Sequence, residues 1–446
     1  MSLEIHRGRL FHFPHDTHSP SEQYQYFDDG ILVIKEGKII DLGDAKDYLQ
    51  AHPQSADQIT HHQGLLVPGF IDAHAHYPQI EMIASFGQQL LDWLHDYTFP
   101  TEMKFIQREY AKEQAGLFLE QLFAHGTTTA AVFATVFPQS VDMFFEAAQA
   151  YDARMICGKV LMDRFCPDGL RDNPEQGYLD SIDLIERWHN KGRALYAITP
   201  RFAPTSTPQQ LKKAAHLAHK YPDVFIQTHL SENIKEVALV QQLFPHNKDY
   251  LDVYESAGLL RERAIFAHGV HLTDSEMQRL STSGATLACC ASSNLFLGSG
   301  LFPFDKIKQS GTHIAFASDV GAGTSMSLFA NMADAYKVCQ LQHYSLDPFE
   351  AMYHCTQGSA VAFKLEDKIG NLNVGTEADF VELNPSAFPM LEQRIKGAKS
   401  LQDELFALII LGDERVIDKT YVSGVKVFDR HKHQWTHPSF SVVSSF

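Results

Sequence analysis

Eight short apolar runs, each followed by a longer amphipathic stretch, are the feature that most limits how this chain can fold. The runs are FIDAHAH, TTTAAVFA, ARMICGKV, LYAITPRF, VFIQTHL, AIFAHGV, TLACCASSN and IAFASDV. Parallel strands need crossover connections of a dozen or more residues, which are usually helices. Intervening stretches such as REYAKEQAGLFLEQLFAHG place apolar residues at helical spacing. Eight strand-helix units favour a closed (β/α)8 TIM-type barrel, with an open doubly wound sheet as the alternative.

Both ends of the chain read as β structure. Near the start, DDGILVIKEGKIIDLG places Gly37 between two apolar runs, as a hairpin requires. Near the end, GTEADFVELN and DKTYVSGVKVFDR show the same pattern, with glycine turns between runs rich in Val, Phe and Tyr. Because chain termini often lie close together, we expect one small β-sandwich built from both ends. The predicted division is a β segment over residues 1–67, a barrel over 68–375, and a second β segment with a terminal helix and strands over 376–446.

Charge and local composition exclude several function classes. With 37 Lys and Arg against 54 Asp and Glu, the net charge of -17 repels phosphate backbones and anionic lipid surfaces, so neither nucleic acid nor a membrane is an expected partner. No N-terminal leader pattern and no long apolar run occurs in the sequence, and the six cysteines form no CxxC pair. These features predict a cytoplasmic protein. Phosphate-binding glycine loops of the GxxxxGK[ST] or GxGxxG type are absent from the sequence.

Polar residues stand where the predicted strands end. His74 and His76 lie two residues apart on the first strand, so their side chains share a face and can coordinate the same metal ion. His229 ends the fifth strand and Asp319 ends the eighth. Barrel active sites gather at the carboxyl ends of the strands. Three imidazoles and one carboxylate suit zinc or ferrous iron with a position left for water, whose pKa the cation would lower.

Three further strand-end residues complete the predicted chemistry. Glu232, three residues after His229 in THLSE, is the predicted general acid/base. His268 in FAHGVH is placed to hydrogen-bond the attacking hydroxide or a developing oxyanion. Arg201 ends the fourth strand. Binuclear sites of this architecture use a modified lysine on that strand, and LYAITPRFAPTS has none, so one metal ion is expected.

Several motifs carry a resemblance to a known family. PGFIDAHAH, THLSE, FAHGVH and SDVGAG resemble the amidohydrolase superfamily, and HYPQ, TPRFAPT and SNLFLGSGLF resemble its guanine deaminases. The resemblance covers nearly the whole chain, including LLDWLHDYTFPTE. It implies a homodimer with one zinc per subunit that removes the 2-amino group of guanine by hydrolysis, which gives xanthine and ammonia.

The resemblance also implies residue roles. It assigns the zinc ligands as His74, His76, His229 and Asp319, and the catalytic groups as Glu232, His268 and Asp319. Gln79, Arg201 and Glu232 are implied to contact the purine. The planar donors of Arg201 suit the guanine O6 acceptor, and the Gln79 amide can both donate and accept. Phe202 is a candidate for packing on the ring face, whereas Trp93, at helical spacing with leucines, is assigned to the core.

Two other functions stay open at this point. One is a hydrolase of the same superfamily acting on the ring amine of a pterin, triazine, pyrimidine or nucleoside, since only pocket residues separate these activities. The other is a non-catalytic assembly protein on the same barrel. The complete ligand set together with Glu232 disfavours the second alternative.

Overall fold

The protein folds as a parallel β-barrel and a separate sheet built from both chain ends. The computed structural model describes residues 3–86 and 89–432, with the side chains of residues 56–57 left aside. Residues 433–446 of the predicted C-terminal segment lie outside the described residues. None of the described helices is both long and apolar enough to cross a membrane.

The strands form two sheets. In chain order they are β1 Glu4–His12, β2 Gln25–Lys35, β3 Lys38–Asp44, β4 Ile59–Pro68, β5 Phe70–His76, β6 Thr127–Phe133, β7 Arg154–Gly158, β8 Val160–Leu161, β9 Ala194–Pro200, β10 Phe225–Leu230, β11 Ala264–His268, β12 Thr286–Cys289, β13 His313–Phe316, β14 Phe380–Leu383, β15 Ile417–Val422 and β16 Val425–Asp429.

Helices follow most of the strands. They are α1 Ala45–Ala51, α2 Leu90–Trp93, α3 Phe99–Met103, α4 Arg108–Ala124, α5 Pro138–Ala150, α6 Pro174–Trp188, α7 Pro208–Lys220, α8 Ile234–Leu243, α9 Tyr250–Ala257, α10 Asp274–Ser283, α11 Ala291–Phe296, α12 Phe304–Ser310, α13 Leu328–Leu341, α14 Pro348–His354, α15 Gln357–Ala362, α16 Pro389–Lys396 and α17 Leu401–Leu411.

The barrel confirms the predicted eight-strand architecture. Strands β5, β6, β7, β9, β10, β11, β12 and β13 pair in parallel in that order, and the short β8 pairs with β9. The first strand meets the chain leaving the last one: the Asp319 N–H donates to the His74 carbonyl over 2.8 Å, and the His76 N–H donates to the Val320 carbonyl over 2.6 Å. These bonds bring the ends of β5 and β13 together at the carboxyl end of the barrel.

Apolar side chains, many of them alanines, fill the barrel interior. They belong to residues that alternate along the strands, among them Ile71, Ala73, Ala131, Ile156, Ala197, Ile265, Ala267, Ala288 and Ala315. Because alternate residues of a strand point to opposite faces, most of the residues between them pack outward against the helices. In β5 the register shifts between Asp72 and Ala75, so that His74 and His76 reach the mouth of the barrel. The polar residues cluster above this apolar interior, at the strand ends.

The second sheet confirms that both chain ends build one β unit. Its strand order is β16-β15-β14-β4-β1-β2-β3, with β1 and β4 parallel and the other neighbours antiparallel. The predicted hairpin turns at Glu36 and Gly37, whose φ angles of 54° and 74° fit a two-residue turn. The sheet curls onto itself, since the Ala378 N–H donates to the Gly37 carbonyl and the Gly424 N–H donates to the Ala378 carbonyl, both over 2.8 Å. The boundaries at residues 67 and 375 stay predictions.

A group of charged side chains joins the β unit to the amino end of the barrel. This junction cluster consists of Arg154, Arg193, Glu377 and Asp379. Arg193 Nε lies 2.9 Å and Arg154 Nε lies 2.8 Å from Glu377 Oε2, and Arg193 Nη1 lies 3.1 Å from Asp379 Oδ1. Arg154 begins β7 and Arg193 directly precedes β9. The junction cluster therefore lies at the opposite end of the barrel from the predicted metal ligands.

Candidate metal and substrate site

The four predicted metal ligands converge at the carboxyl end of the barrel. His74 and His76 end β5, His229 lies in β10, and Asp319 follows β13. Their ligand atoms all lie within 4.8 Å of one another. His76 Nε2 is 3.1 Å from His74 Nε2 and 3.3 Å from His229 Nε2, and Asp319 Oδ1 is 3.2 Å from His74 Nε2. We call these four residues the ligand cluster.

The protonation of the ligand cluster fits a bound cation. Burial, together with the neighbouring imidazoles, lowers the pKa of His76 to about 3 and holds the pKa of His229 well below its ordinary value. Neutral imidazole is the form that ligates metals. The Nδ1–H of His229 donates to the Arg201 carbonyl over 2.6 Å, so its Nε2 lone pair faces the cluster. Three Nε2 atoms that face one another cannot all be satisfied by hydrogen bonds among themselves, and a divalent cation satisfies them together.

Asp319 supplies the negative charge of the ligand cluster. Burial alone raises the pKa of this carboxyl group, but its hydrogen bonds with His74 and His76 bring it well below the ordinary value. Asp319 also has a left-handed backbone, with φ of 50°, as does His268 with φ of 75°. Backbone strain of this kind concentrates at functional sites, where the surrounding structure must hold it in place. Here it turns the chain at two strand ends beside the cluster.

Glu232 is held next to the ligand cluster by the start of helix α8. The backbone N–H groups of Glu232 and Asn233 donate to Glu236 Oε2 over 3.0 and 3.1 Å, and the Asn233 side chain caps the helix. The Ser299 hydroxyl donates to Glu232 Oε1 over 3.0 Å. Burial, reinforced by the charge of Asp319, raises the pKa of Glu232 to about 8. A carboxyl group in this environment can hold and release a proton near neutral pH.

His268 lies between Glu232 and the ligand cluster. Its Nδ1–H donates to Asn294 Oδ1 over 2.9 Å, which leaves Nε2 directed at the cavity. That Nε2 is 3.4 Å from Glu232 Oε2 and 3.9 Å from Asp319 Oδ2, and it has no hydrogen-bond partner among the described residues. An oriented imidazole nitrogen at this position can bind a reacting water or a developing oxyanion.

One cavity connects these groups to the predicted purine contacts. Its lining comprises His76, Gln79, Leu90, Trp93, Leu94, Arg201, Phe202, His229, Glu232, His268, Leu297, Asp319 and Ala322. Phe202 packs edge-on to His229, with 6.2 Å between the ring centroids. Apolar walls with a few convergent polar groups are typical of small-molecule sites. A planar base can enter with its polar edge toward Gln79 and Arg201.

All nine residues predicted from the sequence meet here: eight line the cavity, and His74 lies against them within the ligand cluster. Sequence reasoning missed Glu102, Ser299 and Asn294. Trp93, assigned to the core, is indeed buried, and it also lines the cavity. The one signal for Glu102, Ser299 and Asn294 was their position in stretches that carry the family resemblance, at residues 90–102 and 292–303.

Comparison with known protein families shows first which class of protein has this architecture. Residues 65–427 match the model of the Amidohydrolase family. That match covers the whole barrel and strands β14 and β15 of the second sheet, with the end of β4 and part of β16. A chain with this match, and with a ligand cluster at the carboxyl end of a (β/α)8 barrel, belongs to the amidohydrolase family.

Individual relatives of the chain show which group within this family it belongs to. The chain is 46% identical to the guanine deaminase of Escherichia coli over 433 residues, which is 96% of this chain and 99% of that protein. The solved structure of E. coli guanine deaminase matches with a TM-score of 0.92 at 44% identity, covering 96% of this chain and 100% of that one. The guanine deaminase of C. acetobutylicum, solved with guanine in its active site, matches with a TM-score of 0.86 at 30% identity and the same coverage. The chain therefore belongs to the amidohydrolase family and, within it, to the guanine deaminases.

Proposed function

We propose that this protein hydrolyses guanine to xanthine and ammonia. The observation that carries the proposal is the single cavity in which the ligand cluster, Glu232 and the polar pair Gln79 and Arg201 face one another. Such a cavity can activate water, move protons and bind the edge of a heterocycle at once. The 46% identity to an enzyme with this activity supports the same conclusion.

The proposed cofactor is one Zn²⁺ per subunit, held by the ligand cluster. A cation bound there would act as a Lewis acid and lower the pKa of a ligated water toward neutrality, which supplies a nucleophile at working pH. Three imidazoles and a carboxylate also suit ferrous iron, so the choice of zinc follows the family resemblance. Metal analysis of the purified protein distinguishes the two ions.

Glu232 is the proposed proton donor to the purine ring. As the nucleophile adds to C2, negative charge develops on the neighbouring ring nitrogen N3, and the Glu232 carboxyl group delivers its proton there. The raised pKa lets the carboxyl group hold a proton near neutral pH. The Ser299 hydroxyl donates to Oε1, which leaves Oε2 for the transfer. We assign the second proton movement to Asp319 and His268, which orient the attacking water and pass its proton to the departing amine. Of the two protons of the water, one leaves with the amine as ammonia and the other restores the Glu232 carboxyl group, so that water and guanine give xanthine and ammonia.

The remaining cavity residues bind and orient the base. Arg201 and Gln79 would contact the polar edge of guanine, and Phe202 would pack on its face. A pocket built to hydrogen-bond particular substrate groups rejects analogues that lack them, because buried polar partners would be stranded. Adenine, with a donor in place of the O6 acceptor, is an expected non-substrate.

The proposal is tested by measuring metal content and product formation on the same sample. Xanthine and ammonia should form from guanine in equal amounts, with about one metal ion per subunit. Cytosine, a pterin and adenosine serve as competing substrates. Turnover of one of these without ammonia release from guanine would overturn the proposed substrate.

Compartment and assembly are part of the proposal as well. All six cysteines are free and buried, as expected in a reducing compartment, which supports a cytoplasmic protein. The proposed homodimer follows the family resemblance. Light scattering on the eluting protein measures its mass directly, and a monomer at micromolar concentration would contradict the dimer.

A further inference from the structure

A fully buried carboxylate, Glu102, lies behind the two proposed purine contacts. Gln79 Nε2 donates to Glu102 Oε1 over 3.0 Å, and Arg201 Nη1 donates to both carboxylate oxygens over 2.9 Å. The residue has no solvent exposure, and it does not line the cavity itself. Glu102 can therefore reach a bound base only through Gln79 and Arg201.

Helix α3 supports Arg201 from two sides. Phe99 and Glu102 are three residues apart and therefore lie on one face of this helix. The Arg201 guanidinium carbon lies 5.7 Å from the centroid of the Phe99 ring, while its Nη1 is bonded to Glu102. A planar guanidinium held by a ring and a carboxylate keeps one orientation.

The same carboxylate decides how the Gln79 amide is oriented. Because a carboxylate only accepts hydrogen bonds, it must face the Nε2 group of Gln79. The Gln79 Oε1 in turn accepts from the Gly321 N–H over 3.3 Å. Both ends of the amide are thus assigned by their neighbours. Among the described residues no partner is seen for the second N–H of Gln79 or for the Nε–H and Nη2–H groups of Arg201, and both side chains line the cavity, so these donors can bind a ligand.

We propose that Glu102 is a positioning residue that sets the substrate specificity of the cavity, by fixing Gln79 and Arg201 as hydrogen-bond donors toward the six-position of a purine. This inference rests on the proposed function. Guanine and hypoxanthine carry an acceptor at O6, whereas adenine and 2,6-diaminopurine carry an amino donor there. Donors fixed by Glu102 oppose that amine and match the oxygen.

The wild-type protein gives a first test that needs no variant. Hypoxanthine and adenine differ at the six-position, and neither carries the 2-amino group that the reaction removes. We expect hypoxanthine to compete with guanine at least about 10-fold better than adenine. Equal inhibition by the two purines would show that the cavity presents no fixed donor pattern, and the inference would then be wrong.

The substitution Glu102→Gln tests the residue itself. It keeps the shape of the side chain but removes the charge opposite Arg201, and its own amide can donate as well as accept. We expect KM for guanine to rise about 10-fold or more with a smaller change in kcat. The preference for guanine over 2,6-diaminopurine, measured as the ratio of kcat/KM values, should fall by about the same factor. Unchanged selectivity would overturn the proposal.

A double-mutant cycle separates positioning from a general structural effect. If Glu102 acts partly through Arg201, Glu102→Gln should lower kcat/KM for guanine by a clearly smaller factor in the Arg201→Ala background than in the wild type, the remaining effect passing through Gln79. Independent, multiplicative effects of the two substitutions would contradict action through Arg201. Should Glu102→Gln not fold, Glu102→Asp, which withdraws the carboxylate by one methylene, takes its place in the cycle.

Glu404 offers a matched control outside the site. It forms a two-bond ion pair with Arg9, at 2.9 and 2.6 Å. Glu404→Gln should lower the unfolding temperature and keep the guanine preference. A parallel loss of preference in this variant would assign the effect to stability and overturn the specificity role of Glu102. Failure of the wild-type protein to release ammonia from guanine is a different result, which overturns the proposed function first.

Discussion

Two glutamates at opposite ends of the barrel, Glu232 fully and Glu377 partly buried, have pKa values shifted in opposite directions. At the carboxyl end, burial and the charge of Asp319 raise the pKa of Glu232 to about 8. At the amino end burial also acts to raise the pKa of Glu377, but the hydrogen bond from Arg154 and the charge of Arg193 keep it below its ordinary value. The two residues are equal in chemistry and differ only in their neighbours.

The difference separates a site for chemistry from a site for stability. In the junction cluster two arginines face two carboxylates, so each charge is compensated within the protein. Glu232 has the imidazole of His268 and the carboxylate of Asp319 as near neighbours, and among the described residues no arginine or lysine forms an ion pair with it. Buried carboxyl groups whose pKa is raised and whose charge has no partner are typical of functional sites, and a bound cation would supply the missing positive charge.

The largest expected effect is loss of turnover on replacing Glu232 by Gln. Removing the proton donor should lower kcat about 10³-fold, or about 4 kcal/mol of transition-state stabilisation. Metal content should stay the same, because Glu232 lies outside the ligand cluster. The unfolding temperature should not fall, because burial disfavours the charged form of this residue. Steady-state kinetics, metal analysis and a melting curve check the three statements. Loss of the metal would reassign Glu232 to the ligand cluster.

The same substitution at the other end should have the opposite result. Glu377→Gln leaves Arg154 and Arg193 with one carboxylate fewer, and breaking a buried ion pair costs about 3 kcal/mol of unfolding free energy. The kcat of the folded fraction should be unchanged, since the junction cluster lies at the far end of the barrel. Denaturant unfolding with activity normalised to folded protein measures both quantities. A lowered kcat with wild-type stability would abolish the distinction between the two ends.

A somewhat smaller loss is expected for Arg201→Ala. The variant removes donors to the base and leaves the Glu102 carboxylate without its charged partner, and hydrogen bonds to charged groups are worth about 2 to 3 kcal/mol, or up to about 100-fold in kcat/KM. Most of this should appear in KM. Arg201→Lys keeps the charge with fewer, differently directed donors, and we expect it to fall between wild type and Ala. Unchanged kcat/KM on guanine in the Ala variant would remove Arg201 from the site.

The smallest effect concerns acid stability of the β unit. Burial acts to raise the pKa of Glu382, yet its hydrogen bond with His62 and its contacts with Lys419 and the Gly64 N–H bring it to about 2. Because the folded-state pKa lies below the ordinary value, the stabilisation is present above about pH 4.5 and is lost as the pH falls toward 2. The excess melting temperature of wild type over Glu382→Gln should therefore shrink, by about 2 °C between pH 5 and 3. A constant difference across this range would contradict the assignment.

Much of the site was predictable because its residues follow strand ends. The alternation along β5 puts His74 and His76 on one face whatever the rest of the chain does. Glu232 is near the cluster because it is three residues from His229 in the same loop. These are local relations, and the strand-helix rhythm adds only that all eight strand ends meet at one rim.

The residues that sequence reasoning missed depend on contacts between distant parts of the chain. Arg201 and Glu102 are 99 positions apart, and Ser299 and Glu232 are 67 apart. No periodicity or spacing relates such pairs, since their meeting depends on the path of loops over the barrel mouth. A glutamate at the end of LLDWLHDYTFPTE looks like any surface carboxylate until the helix that carries it is placed.

The sequence by itself determined the barrel, the β unit from both chain ends, and the residue types that meet at the strand ends. Local periodicity is enough for these, because it sets which side chains share a face and where each strand stops. Only the tertiary structure decided which charged side chains are paired and which carboxyl groups have no cationic partner. Pairing and burial depend on neighbours far apart in the chain, and they give Glu232 and Glu377 their opposite pKa shifts.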